Sequence, residues 1–190
     1  MPWACSIAHS RRRKLRVIDN RQAGSEGRLV MHTPLLIVWH SRTGTAEALA
    51  RAASDAAGNA GRLLAAAETH PDDILAARGF LFACPENLAA LSGAMKEMFD
   101  RCYYPVLGQV EGRPYATLIA AGSDGEGAQR QLDRIATGWR LKRVADPLIV
   151  ITEAQTPEAI LAKKTVNGTS LKAARALGEA LAEGLELGIF

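Results

Sequence analysis

The chain has 190 residues, 48% of them hydrophobic, which suffices for one substantial core and makes one domain the natural count. No apolar run is long enough to span a bilayer, and Cys5, Cys84 and Cys102 show neither CxxC spacing nor a disulfide framework, so a reducing cytoplasm is the expected compartment. The net charge of +3 sits at the start: residues 1–30 hold seven basic and two acidic side chains, leaving −2 on the rest, which argues against a nucleic-acid surface on the domain.

Residues 1–33 contain RRRKLR and the polar run NRQAGSEGR without sustained periodicity, and are read as a basic, disordered extension. Met31, four residues before the first strand, is an alternative start, and residues 34–190 form the domain. Leu35-Leu36-Ile37-Val38-Trp39 is apolar without alternation, as expected of a parallel strand covered on both faces. The turn His40 to Thr45 follows at once, with hydroxyls at Ser41, Thr43 and Thr45 and a glycine at Gly44. Together with the free N–H groups of the next helix, this turn is suited to holding a phosphate.

Ala and Leu recur at helical spacing from Thr45 to Gly58. A short strand is expected over Arg62–Ala67, a brief helix from His70-Pro71 through Ala77, and a continuous apolar strand over Gly79–Cys84. That strand is expected to end in a Pro-led loop, Pro85-Glu86-Asn87-Leu88. Ser92 then caps a helix with Met95, Met98, Phe99 and Cys102 on one core-facing side. Tyr115–Ala121 forms a fourth strand, and the loop Gly122-Ser123-Asp124-Gly125-Glu126-Gly127 precedes a helix over Ala128–Trp139. Lys142–Thr152 gives a fifth strand, mostly in its Leu148–Ile151 half because Pro147 must sit at a start or an edge. Thr156 caps a short helix, and Thr169–Leu185 closes the domain with an apolar stripe.

The order hydroxyl, any residue, Thr, Gly, Thr after a buried first strand resembles the phosphate loop of flavodoxins and flavodoxin-like FMN reductases. Pro85, Glu86, Asn87, Ser92, Gly93 and Lys96 resemble the ring-binding segment after the third strand of such reductases. The resemblance spans about residues 35–187 and implies an α/β three-layer sandwich with a five-stranded parallel sheet in the order 2-1-3-4-5. It implies bound FMN, its phosphate on Ser41, Arg42, Thr43, Gly44, Thr45 and Ala46. Ring contacts would come from Pro85, Glu86, Asn87 and Leu88 and from Gly122, Ser123, Asp124 and Gly125. Ala46 stands where many flavodoxins carry a further Thr, so one phosphate hydrogen bond is missing or comes from Arg42.

The site so placed lies where the winding direction of such a sheet reverses. Neither a catalytic acid–base pair nor a metal cluster is visible, so the chemistry belongs to the flavin and no protein residue is assigned as catalytic. Electron-carrier flavodoxins sandwich the ring between aromatic side chains amid acidic ones. Residues 85–93 and 122–127 contain no Trp, Tyr or Phe and only Glu86, Asp124 and Glu126 as acids. One face of the ring is therefore expected to be open to NADPH or NADH as hydride donor, with a quinone, free flavin or other small molecule as electron acceptor. Tyr103 and Tyr104 are packing residues by default but within reach of an open site, and a homodimer or larger assembly would help complete it. The alternatives are a single-electron carrier and a flavin-free module on the same fold, the latter favoured only by Ala46.

Overall fold

The computed structural model describes residues 34–190, so the extension expected over residues 1–33 lies outside the described residues. The first half of the domain alternates β1 (Leu35–Trp39), α1 (Thr45–Ala57), β2 (Gly61–Ala65), α2 (Pro71–Ala76) and β3 (Gly79–Asn87). There follow β4 (Ala90–Leu91), α3 (Gly93–Val106), β5 (Pro114–Ala121), α4 (Glu126–Gly138), β6 (Lys142–Arg143), β7 (Leu148–Ile151), α5 (Pro157–Leu161) and α6 (Gly168–Leu187).

The parallel ladder runs β2-β1-β3-β5-β6, and β7 pairs with β5 beyond β6. β6 meets Pro114 and Tyr115 while β7 meets Leu118 to Ala121, so the two occupy one edge position. Asp146-Pro147 separates them, because a proline supplies no N–H to a ladder. Counted by position, this is the flavodoxin-like order 2-1-3-4-5. Among the described residues the sheet nevertheless has seven strands rather than the expected five: the edge is split, and β4 adds an antiparallel pairing to β3.

That pairing corrects the expected end of the third strand. β3 continues past Cys84 through Asn87, with Pro85 opposite Ala120, and then folds back through Leu88-Ala89 onto Ala90-Leu91. Leu88 and Ala89 both have positive φ, 52° and 57°. Two-residue hairpin turns of this kind favour Asn-Gly, so neither residue signals the turn in the sequence.

Strand pleating divides the core into two layers. Leu36, Val38, Phe80, Phe82 and Cys84 face α3 and α4, meeting Met95, Met98, Phe99, Cys102, Leu132 and Trp139. Phe82 lies 5.0 Å from Phe99, and Phe99 5.3 Å from Trp139, ring centroid to centroid. Leu35, Ile37, Leu81, Ala83, Ala116 and Leu118 face α1 and α6. There a Cβ on Gly178 would stand 2.2 Å from the Ala53 carbonyl oxygen, so the two helices touch backbone to backbone. Leu35 to Val38 are at most 1% exposed, and full burial of each such side chain stabilises the fold by about 1.5–3 kcal/mol. The four loops after β1, β3, β5 and β7 consequently leave a rigid sheet at one edge, and the chain winds in opposite directions from β1 to β2 and to β3.

Candidate functional site

Those four loops border an open cleft. Ser41, Arg42, Thr43, Thr45 and Ala46 line one end, with Pro85, Glu86, Asn87 and Gly122 further along. Gly44, Leu88, Ser123, Asp124 and Gly125 do not line it. Thr152, Ala154, Ile160, Leu161 and Lys164 do, and sequence reasoning missed all five.

The β1–α1 turn gathers hydrogen-bond donors and positive charge. Gly44 occupies the helix N-cap position with φ 97°, a conformation costly to any residue with a Cβ. Its N–H donates to Ser41 Oγ at 3.0 Å, which leaves the Ser41 hydroxyl proton free to point elsewhere. The first N–H groups of α1 have no acceptor within the helix. Thr45 Oγ1 is buried and has no hydrogen-bond partner. A buried hydroxyl left without a partner costs about 1–3 kcal/mol, and a phosphate oxygen at the helix start would relieve it. Arg42, exposed at the same end, supplies positive charge. The turn thus fits the phosphate of a flavin mononucleotide.

His40 lies behind this turn. Its N–H donates to the Ala83 carbonyl at 2.9 Å, and its Nδ1 lies 2.8 Å from Ser92 Oγ. Partial burial, and secondarily the charge of Arg42, lower its pKa below 6.5. Ser92 was expected to cap α3, and it does occupy the N-cap position, but its hydroxyl makes no capping bond because it faces His40. Cys84 does not line the cleft, and burial pushes its thiol up to about 12, opposed only in part by a hydrogen bond from the Ser92 backbone. A thiol so held stays neutral at physiological pH.

Glu86 has a role the sequence did not reveal. Its carboxylate accepts from the Gly125 N–H at 2.8 Å and the Ala128 N–H at 3.1 Å, closing the start of α4. Leu91 N–H donates to Gln131 Oε1 at 2.8 Å, so both arms of the hairpin are tied to that helix. A Cβ at Gly127 would stand 2.3 Å from the Ala89 carbonyl oxygen, and one at Gly125 would stand 2.5 Å from Ile149 Cγ2. The glycines that look like a ligand-approach loop therefore let the hairpin and β7 close on α4, and only Gly122 faces the cleft. Tyr103 packs against Trp139 with centroids 5.9 Å apart, Tyr104 is exposed, and neither reaches the cleft.

The family model described as NADPH-dependent FMN reductase matches residues 54–156, just over half of the chain and beginning after the phosphate-loop turn. No curated protein sequence matches. Among solved structures, a flavodoxin from the domain Archaea is 14% identical at a TM-score of 0.65, covering 80% of this chain and 98% of that one. A flavodoxin, WrbA-like protein from Agrobacterium tumefaciens is 17% identical at 0.64, covering 80% and 97%. The rubredoxin oxygen:oxidoreductase from Desulfovibrio gigas is 14% identical at 0.64, covering 83% of this chain but 38% of that one. Likeness at these identities establishes the flavodoxin-like fold.

Proposed function

Because the chain belongs to the NADPH-dependent FMN reductase family, we propose that it binds FMN in the β1/β3 cleft and passes hydride equivalents from NADPH or NADH to a small acceptor. The observation that carries this reading is the buried, unpartnered Thr45 hydroxyl at the start of α1, beside the Ser41 hydroxyl and the Arg42 guanidinium. The phosphate sits on Ser41 to Ala46, with the hydroxyls and helix N–H groups donating to its oxygens. The ring lies toward Pro85–Asn87 and Gly122, where the hairpin, pinned through Glu86, holds Asn87 in place. When bound, FMN supplies the redox chemistry.

The residues around the cleft decide what reaches the ring. None of those lining it is aromatic, so no protein ring covers the open face and a nicotinamide has room to stack. Cys84, neutral and buried, contributes no thiolate. A second copy of the chain completes the open side, making the working form a homodimer or larger. Among the described residues, no helix is long and apolar enough to cross a membrane.

The test is the absorbance of the full-length protein between 300 and 550 nm with FMN, followed by anaerobic NADPH or NADH. A bound-flavin spectrum that bleaches within seconds supports the reductase and identifies its donor. Bound FMN that stays oxidised with both nucleotides, yet takes electrons from a separate reductase, transfers the assignment to a carrier. No flavin binding under any condition refutes both.

A further inference from the structure

The segment between β7 and α6 is hydrogen-bonded to the sheet and to the phosphate-loop turn, yet its helix buries no side chain. None of the five residues of α5 is buried. A helix so short has little stability of its own. It nonetheless carries Ile160 and Leu161, 50% and 70% exposed, and both line the cleft. Single exposed apolar residues are ordinary, but two adjacent ones lining one cleft contribute only when something there removes their water.

The attachments of the segment point to the same use. At its start, the Thr152 N–H and hydroxyl both donate to the Ala121 carbonyl, at 2.8 and 3.0 Å. Thr156 Oγ1 accepts from the Ala159 N–H at 3.2 Å. At its end, the Lys164 N–H donates to the Thr43 carbonyl at 2.8 Å, which fastens the segment to the phosphate-loop turn itself. The Lys164 ammonium donates to the carbonyls of Ala159, Ile160 (3.2 Å) and Ala162 (2.7 Å), closing the C-terminal end of α5. Lys164, which also lines the cleft, thereby carries its charge in the same wall, joined through its backbone N–H to the phosphate-loop turn.

We propose that Thr156–Lys164 is a flavin-binding clasp, in which Ile160 and Leu161 cover the cofactor, the Lys164 backbone N–H fastens the segment to the phosphate loop, and the Lys164 ammonium adds positive charge to the same wall of the cleft. This rests on the FMN reading above. Ile160 and Leu161 act on the apolar body of the ligand and so serve FMN and riboflavin alike. Lys164, a positioning residue, favours the phosphorylated ligand in addition.

The experiment titrates full-length wild type, Ile160→Ser, Leu161→Ser and Lys164→Met with FMN and with riboflavin, and follows backbone amide exchange over residues 157–164. The substituted apolar side chains are at least half exposed, so circular dichroism should be unchanged. I160S and L161S are expected to raise both dissociation constants by about tenfold. K164M is expected to raise the FMN constant about fivefold more than the riboflavin constant, an excess that shrinks at high salt. FMN should slow amide exchange across the segment in the wild type. Wild-type FMN binding with unchanged constants in I160S and L161S, and no added amide protection, overturns the clasp and leaves the FMN reading standing. Failure of the wild type to bind either flavin overturns the FMN reading, and the clasp with it.

Discussion

Replacing Glu86 with Gln separates two uses of one side chain. The carboxylate accepts from the N–H groups of Gly125 and Ala128, and the resemblance to FMN reductases places the same residue at the ring. A hydrogen bond to a charged group contributes about 1.5–3 kcal/mol, and a negative charge at a helix N-terminus adds about 0.3–1 kcal/mol. Gln keeps one acceptor oxygen and loses the other bond and the charge. Because Glu86 is only half-buried, the lower part of the range applies, and the expected cost to the flavin-free protein is about 2 kcal/mol. At about 2–4 °C per kcal/mol for a domain of this size, the thermal midpoint falls by about 4–8 °C. Urea unfolding of the flavin-free protein measures the first quantity and a melting curve the second. If E86Q unfolds within about 0.5 kcal/mol of wild type, the size of an ordinary surface change, while FMN affinity collapses, Glu86 is a cofactor ligand and not the pin of α4.

The strained hairpin offers a gain instead of a loss: Leu88→Asn with Ala89→Gly should stabilise the protein by about 1–2 kcal/mol, since left-handed backbone costs an ordinary residue about that much. An unchanged urea midpoint would refute the strain. His40, with its pKa lowered below 6.5 by burial and by Arg42, resists protonation that its unfolded form accepts. The unfolded state then binds more protons, so stability of the flavin-free protein falls as pH drops through 6.5 toward the lowered value. FMN phosphate facing Arg42 should cancel part of that charge and raise the His40 pKa. An NMR titration that finds the same His40 pKa with and without FMN would contradict a phosphate at this turn.

What the sequence made legible follows from burial. LLIVW and GFLFAC read as strands because a parallel strand covered on both faces shows no alternation, and the two faces of β1 do divide between the two core layers. Met95, Met98, Phe99 and Cys102 read as one helix face for the complementary reason, and all four are at most 1% exposed. The hairpin after Cys84 was illegible because Pro85 resembles a loop starter and Leu88-Ala89 lacks the glycine or asparagine of its turn. At Gly125 the sequence shows that a backbone comes close to something, not whether that is ligand or protein, and in the structure Ile149 occupies the space a Cβ would take. The Thr156-capped short helix was legible and is present, but its place on the wall of the cleft stayed hidden because Thr152 and Lys164 are attached to the carbonyls of Ala121 and Thr43, far away in the chain.

Thr45→Val provides the most direct test of a flavin phosphate at the start of α1. The substitution removes a buried hydroxyl without a partner and keeps the shape. The flavin-free protein should therefore be unchanged or more stable in urea, while FMN affinity falls about tenfold or more, the equivalent of one lost hydrogen bond to a charged group. Riboflavin, without the phosphate, should bind wild type and T45V equally. Equal FMN affinity in both proteins, or an equal loss for FMN and riboflavin, would contradict a phosphate at Thr45.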